Sequence, residues 1–182
     1  MNRSRALLAS LLSIALIASA APVKVDPAKS SVSATFKQMG VAVEVPFKKF
    51  VAQINYDPVK PEQSKASMEI DTASLDFGDA EYNKEVGKKD WFNVAQFPKA
   101  SFVSSSIKAA GAGKVNVAGK LTIKGKTTDV AFPMVVRQDA GKQVFEGSLP
   151  IKRLTYNIGE GEWKDTSMVA DEVLIKFRVS AQ

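Results

Sequence analysis

The chain is 182 residues long, with 25 Lys and Arg against 19 Asp and Glu and a formal charge of +6. It contains neither His nor Cys. A Ser-His-Asp triad, a Cys-His pair, a Cys/His zinc site, a thiolate redox centre and a disulfide are therefore all excluded. The inventory favours a binder over an enzyme, and no cofactor or metal is expected.

Met1 to Arg5 carries two positive charges, and Ala6 to Ala18 is apolar apart from Ser10 and Ser13. Ala18-Ser19-Ala20 then supplies small residues at a cleavage site. Residues 1–20 are expected to be a secretory signal peptide cut between Ala20 and Ala21. The apolar run is about 13 residues, short of the ~20 a spanning helix needs. After cleavage no integral membrane segment is expected, and a Cys-free exported chain suits the periplasm. Lys48-Lys49 and Lys88-Lys89 are short basic pairs rather than the basic, aromatic-interleaved stripe of a nucleic-acid binder, so no nucleic-acid partner is expected.

Beyond the leader, period-two alternation recurs along the chain. Val32, Ala34 and Phe36 form the first apolar set, and Val41, Val43, Val45 and Phe47 the second, with Pro46 marking an edge or end. Phe50, Ala52, Ile54 and Tyr56 follow, then Met68 and Ile70, then a Ser-rich strand over 100–108. Val115, Val117, Gly119, Leu121 and Ile123 give the cleanest alternation. Val130 to Val136, Phe145 to Ile151 and Val173 to Val179 complete the series. Gly-containing turns at 110–113, 124–126 and 139–142 read as hairpins, and 57–61 as a Pro-bounded loop. Only Asp79 to Lys89 favours helix, with Asp79 as N-cap and Gly87 as stop. The expected fold is all-β: an antiparallel barrel of about eight strands with one short helix, preferred to a sandwich because closure removes edges without a disulfide.

Three stretches carry a family resemblance. They are Asp90-Trp91-Phe92-Asn93-Val94 with Phe97 to Ser104, the strand and turn Gly119 to Thr127, and Arg153 with Tyr156-Asn157-Ile158-Gly159 followed by Asp171-Glu172-Val173. With Val25 to Ser30 they span about residues 23–181. The chain resembles the YceI-like, lipocalin-like periplasmic proteins, often called polyisoprenoid-binding. The resemblance implies a lipocalin-like eight-stranded barrel whose lumen holds a long isoprenoid chain. It also implies that residues 21–182 form one lipid-binding domain. Many members carry His at three positions where this chain has Lys29-Ser30-Ser31, Lys37-Gln38-Met39-Gly40 and Lys88-Lys89-Asp90, which sets it in a His-less branch.

The candidate lumen residues are Phe36, Leu121, Ile123, Phe132, Met134, Phe145, Ile175 and Phe177. They either line a ligand cavity or simply fill a small barrel, as eight-stranded barrels can. Tyr82, Trp91 and Phe92, with Phe97, are candidates for a mouth or lid around the helix. Lys88, Lys89 and Arg153 are candidate contacts for an anionic head group. Glu160, Glu162 and Asp165 are read as solvated loop carboxylates, Trp163 as an anchor of that loop, and Ser104-Ser105-Ser106 as strand. No catalytic or metal residue is expected. The function expected is binding, transport or sequestration of a long apolar lipid, isoprenoid or quinone-like, in the periplasm. The alternative is a stress-response or protein-interaction module with a filled barrel and no lipid. Ligand identity and oligomeric state stay open.

Overall fold

The computed structural model describes residues 23–182, so the expected signal segment and its cleavage site lie outside the described residues. Nine strands follow in order: β1 (Ser31–Gln38), β2 (Val41–Phe47), β3 (Phe50–Asn55), β4 (Lys65–Asp71), β5 (Lys99–Ala109), β6 (Lys114–Ile123), β7 (Lys126–Asp139), β8 (Lys142–Lys152) and β9 (Val169–Ala181). One helix, α1 (Ala80–Val86), stands between β4 and β5. Asp79 caps it, its carboxylate accepting from the Glu81 and Tyr82 N–H groups at 2.9 and 3.0 Å. The helix ends at Val86, before Lys88-Lys89, because the Gly87 N–H already turns back to the carbonyls of Lys84 and Glu85.

The strands form one curled antiparallel sheet, a half-barrel in the order β2-β1-β9-β8-β7-β6-β5-β4-β3. Its two edge strands, β2 and β3, are consecutive in the chain and separated by Lys48 and Lys49 alone. Every pairing between them is antiparallel and their number is even, so β2 and β3 run in the same direction. They are two halves of one bent strand, which pairs with β1 before the jog and with β4 after it. That is why nine strands stand where about eight were expected. Pro46 sits at the break and cannot donate to a ladder. Its carbonyl instead accepts from the Asp76 N–H at 3.0 Å, and Lys48 N–H donates to Ser74 at 2.9 Å.

Two chain segments cover what the jog leaves open. Residues 72–98, including α1, fold back over one end, where Phe77 meets Phe36 edge-on at 6.3 Å and Phe92 meets Phe47 at 6.5 Å. At the other end the chain at Val23–Asp26 runs from β3 to β9. Val23 N–H donates to Ile54 at 2.9 Å, and Lys24 and Gln182 exchange backbone hydrogen bonds at 2.6 and 3.0 Å. Lys142, from the β7–β8 hairpin, holds Asp26 in an ion pair at 2.7 Å.

The period-two pattern sets the inner face. On β6 the buried positions are Val115, Val117, Gly119, Leu121 and Ile123, and on β7 Phe132 and Met134 are buried on the same face. Fully burying such a side chain contributes roughly 1.5–3 kcal/mol. On β5 the alternation slips, because a bulge between Ser104 and Ser106 shifts the phase so that Ile107 also points inward. The Ser104 hydroxyl at that bulge accepts from the Ala66 N–H at 2.9 Å. Among the described residues no helix is long and apolar enough to cross a membrane.

Candidate functional site: an apolar lumen

The curled sheet lines a partly open cavity of ≈ 150 Å³. Leu121, Ile123, Phe132, Met134, Phe145, Ile175 and Phe177 all line it. Along β6 the lining runs from Val117 to Ile123, about 20 Å at ~3.3 Å per residue. An engineered cavity of about this volume, lined by Leu, Ile and Phe, stays dry and takes up benzene. The cavity's own walls are as apolar as that one's, with Ser67, Ser101 and Arg153 the only polar residues in its lining. Ile175 and Phe177 on β9 point inward yet remain only half-buried, whereas Leu121 on β6 and Met134 on β7 are buried. In a filled barrel both sets would be buried alike.

Phe36 is the exception among the candidate lumen residues. Ala34, two positions earlier on the same face of β1, lines the cavity, but Phe36 lies past it, against Phe77. Several lining residues escaped the sequence reading. Phe47 and Met68, placed only in strands by their alternation, are among them, and so is Phe102, which the β5 bulge disguised by breaking its alternation.

Three phenyl rings shape the bore. Phe102 and Phe132 lie 5.4 Å apart, and Phe132 and Phe177 5.6 Å. Two inward-facing glycines let the outer two lie flat against the wall. A Cβ on Gly119 would stand 2.6 Å from the Phe102 ring, and one on Gly147 2.5 Å from the Phe177 ring. A side chain at Gly147 would drive the Phe177 ring into the lumen, and one at Gly119 would press on the Phe102 ring and also stand 2.4 Å from the Val103 carbonyl oxygen.

One end of the cavity is closed. Tyr56 packs edge-on against the fully buried Phe145 at 5.5 Å, and the Val23–Asp26 segment lies across the gap beside them. Burial raises the Tyr56 phenol above its ordinary value, with Asp57 adding to the effect. The other end carries the segment 72–98. Of its aromatic candidates only Phe92 faces the cavity. Trp91 turns away to Trp163, 5.3 Å between centroids. Tyr82 is exposed and stacks on Phe77 at 6.0 Å. Phe97 lies over the Gly125 turn.

The three cationic candidates do different work. Lys88 is exposed and bonded to Glu85, which raises its pKa. Lys89 is exposed, and its carbonyl accepts from Lys124. Arg153 is only 2% exposed, although it borders the cavity. Its five N–H groups go to the carbonyls of Ala170, Ile158, Gly159, Trp163 and Val169, at 2.6 to 3.3 Å. A guanidinium has five donors, so none is left for a head group, and the expectation for Arg153 is corrected to that of a bracket for the 157–170 loops. Burial lowers its pKa, and Asp171 opposes the shift.

Lys124, a turn residue by its sequence, is only 9% exposed. Its ammonium donates to Lys89 O and Asn157 O, both at 2.7 Å, and to Glu160 at 3.0 Å. Glu160 is thereby held below the ordinary carboxylate range, the Lys124 hydrogen bond being the largest cause. Sequence spacing could not have found this, because the partners lie more than thirty residues away.

The model of the YceI-like domain matches residues 23–181. The chain belongs to the YceI-like family. This YceI-like chain shares 56% identity with the crystal structure of Burkholderia cenocepacia BcnA, with a TM-score of 0.85 over 87% of this chain and 100% of that one. A polyisoprenoid binding domain from Saccharophagus degradans, implicated in plant cell wall breakdown, shares the fold at 16% identity. Its TM-score is 0.69, over 88% of this chain and 97% of that one. A UPF0312 protein of Pseudomonas putida is 41% identical over 86 residues, 47% of this chain. That match spans 45% of the relative, and the chain spans about half the length of the curated relatives it matches.

Proposed function

We propose that this protein is an exported, periplasmic, non-catalytic carrier that buries the apolar chain of an isoprenoid or quinone-like lipid in its half-barrel. The observation that carries this reading is the cavity: closed at one end, walled almost wholly by apolar side chains, and bounded by inward residues that keep accessible surface. The polyisoprenoid-binding Saccharophagus degradans domain supports the lipid class through its fold.

Each methylene taken from water contributes about 0.8 kcal/mol, offset by the ordering of the tail and the loss of its free motion. The force is non-directional. Selectivity therefore follows chain length and girth, and a lining with so few polar groups leaves the head group outside.

Lipid extraction and native mass spectrometry of purified protein test this directly. The reading expects a bound or loadable chain-like lipid. Met134→Trp should shorten the longest chain accepted while leaving the fold intact. Protein that carries no lipid and loads none would overturn the carrier and favour an interaction module.

A further inference from the structure

The β1–β2 hairpin carries the inner face beyond the barrel. Its register pairs Ala34 with Val45, Phe36 with Val43, and Gln38 with Val41. Directly paired residues share a face of the sheet, and Ala34 lines the cavity. Phe36, Val43 and Val41 therefore continue the cavity wall outward to the hairpin tip. There the burial stops: Val41 is 66% exposed and Met39 67%. Met39 and Gly40 turn the chain with positive φ, and the Met39 N–H donates to Met168 O at 2.9 Å. That bond brings a third exposed side chain, Met168 at 47%, to the tip. On the lid side Phe77 covers Phe36 and carries the exposed Tyr82 on its other face.

The charges around this rim are one-sided on the hairpin. From Ala34 to Val43 the only charged residue is Lys37, which is exposed. Glu44, the next carboxylate, is taken by Lys176 at 2.8 Å and by the Ser33 hydroxyl at 2.7 Å. Asp165, in the loop that carries Met168, holds the N–H and hydroxyl of Ser167.

We propose that this rim docks on a lipid bilayer: Met39, Val41 and Met168 enter its apolar boundary, Lys37 meets anionic headgroups, and the lipid chain passes along Val41, Val43 and Phe36 into the lumen. The inference rests on the lipid-carrier reading above. It is favoured over a second copy of the chain because the rim is a few side chains wide, whereas a stable protein interface covers about 800 Å² on each partner. A bilayer needs no such area or shape match, only apolar side chains at its boundary and basic groups beside them. A ligand with a long apolar chain also has no favourable path through water, so a carrier gains from an apolar track that starts at the membrane.

The test uses vesicles of phosphatidylethanolamine and phosphatidylglycerol and a fluorescently labelled polyprenol as probe. The probe is delivered either within the vesicles or by dilution from ethanol with no membrane present. Wild-type protein should float with the vesicles and extract the probe. Met39→Glu with Met168→Glu lies outside the cavity lining and should leave the thermal midpoint and uptake from ethanol unchanged. Its extraction from vesicles should fall about tenfold or more for each apolar side chain lost. Lys37→Glu should weaken flotation most at low salt. Wild-type protein that ignores vesicles, or a double variant that extracts at the wild-type rate, would sink the docking proposal while leaving uptake from ethanol to stand for the carrier. A wild-type dimer in light scattering that the double variant abolishes would assign the rim to a second copy instead. If neither delivery loads the protein, the carrier reading fails, and flotation alone still decides the docking.

Discussion

Gly119 and Gly147 each do their work by lacking a side chain. Both face inward on strands whose other inward residues are large, and each lies under a phenyl ring. Overpacking such a site costs about 1–3 kcal/mol, and part of that strain is relieved by tilting the ring into the bore. Gly147→Ala should therefore narrow the lumen, whereas Gly119→Ala also sets a Cβ 2.4 Å from the Val103 carbonyl oxygen and should weaken the β5–β6 pairing as well. For Gly147→Ala the expected outcome is a folded protein, seen by circular dichroism, with weaker uptake of long-chain probes; unchanged uptake would show that the Phe177 ring does not set the bore. Arg153 is the opposite case, a large charged side chain whose work is structural. Arg153→Met leaves several carbonyls without their donor, and each buried unpaired group costs about 1–3 kcal/mol. Chemical denaturation should show a loss of at least about 3 kcal/mol. Lipid affinity at a temperature where the variant is folded should change far less.

At the level of elements, the fold depends on connections between segments that are remote in sequence. Lys124, in the β6–β7 turn, ties Lys89, just beyond α1, to Asn157 and Glu160 in the loop before β9. At the closed end Lys142 ties the β7–β8 hairpin to Asp26, whose carboxyl that hydrogen bond also lowers. Both carboxylates have folded-state pKa values below their unfolded ones. The stability they contribute is complete above the ordinary Asp and Glu range, and it is lost as pH falls through the lowered folded values. Thermal midpoints measured from neutral to acid pH should fall in that window. Glu160→Gln should flatten part of the acid limb. A Glu160→Gln profile superimposable on wild type would show that the Lys124 clip is energetically silent.

For the whole molecule, the bent strand β2–β3 decides the architecture. A sheet whose edge strands are joined by two residues needs no ladder between them, and its gaps are filled by the Val23–Asp26 segment and by residues 72–98. The result is a lumen closed at one end and bordered by a partly apolar rim at the other. With no His or Cys in the chain, chelation has no ligand set of the kind that structural zinc uses. Treatment with a chelator should leave the thermal midpoint unchanged, and a large fall would reveal an oxygen-ligated ion.

The alternation on β6 to β9 determined the inward face, since side chains in a strand alternate whatever surrounds them. The lumen residues from Leu121 to Phe177 were legible for that reason. The Gly-containing turns and the Asp79 cap were equally local, and the family motifs carried the fold class. Where alternation failed, at the β5 bulge and at the Lys48–Lys49 jog, Phe102 and Phe47 were placed in strands but not in the lumen. The roles of Lys124 and Arg153 were beyond sequence altogether. A Lys and an Arg are ordinarily solvated, and only carbonyls delivered from distant loops make burial of their charge tolerable. Whether the inward residues fill the barrel or enclose a space was likewise decided by tertiary structure. Alternation specifies which way a side chain points, while the distance to the opposite wall depends on the curl of the whole sheet and on two glycines that hold the rings aside.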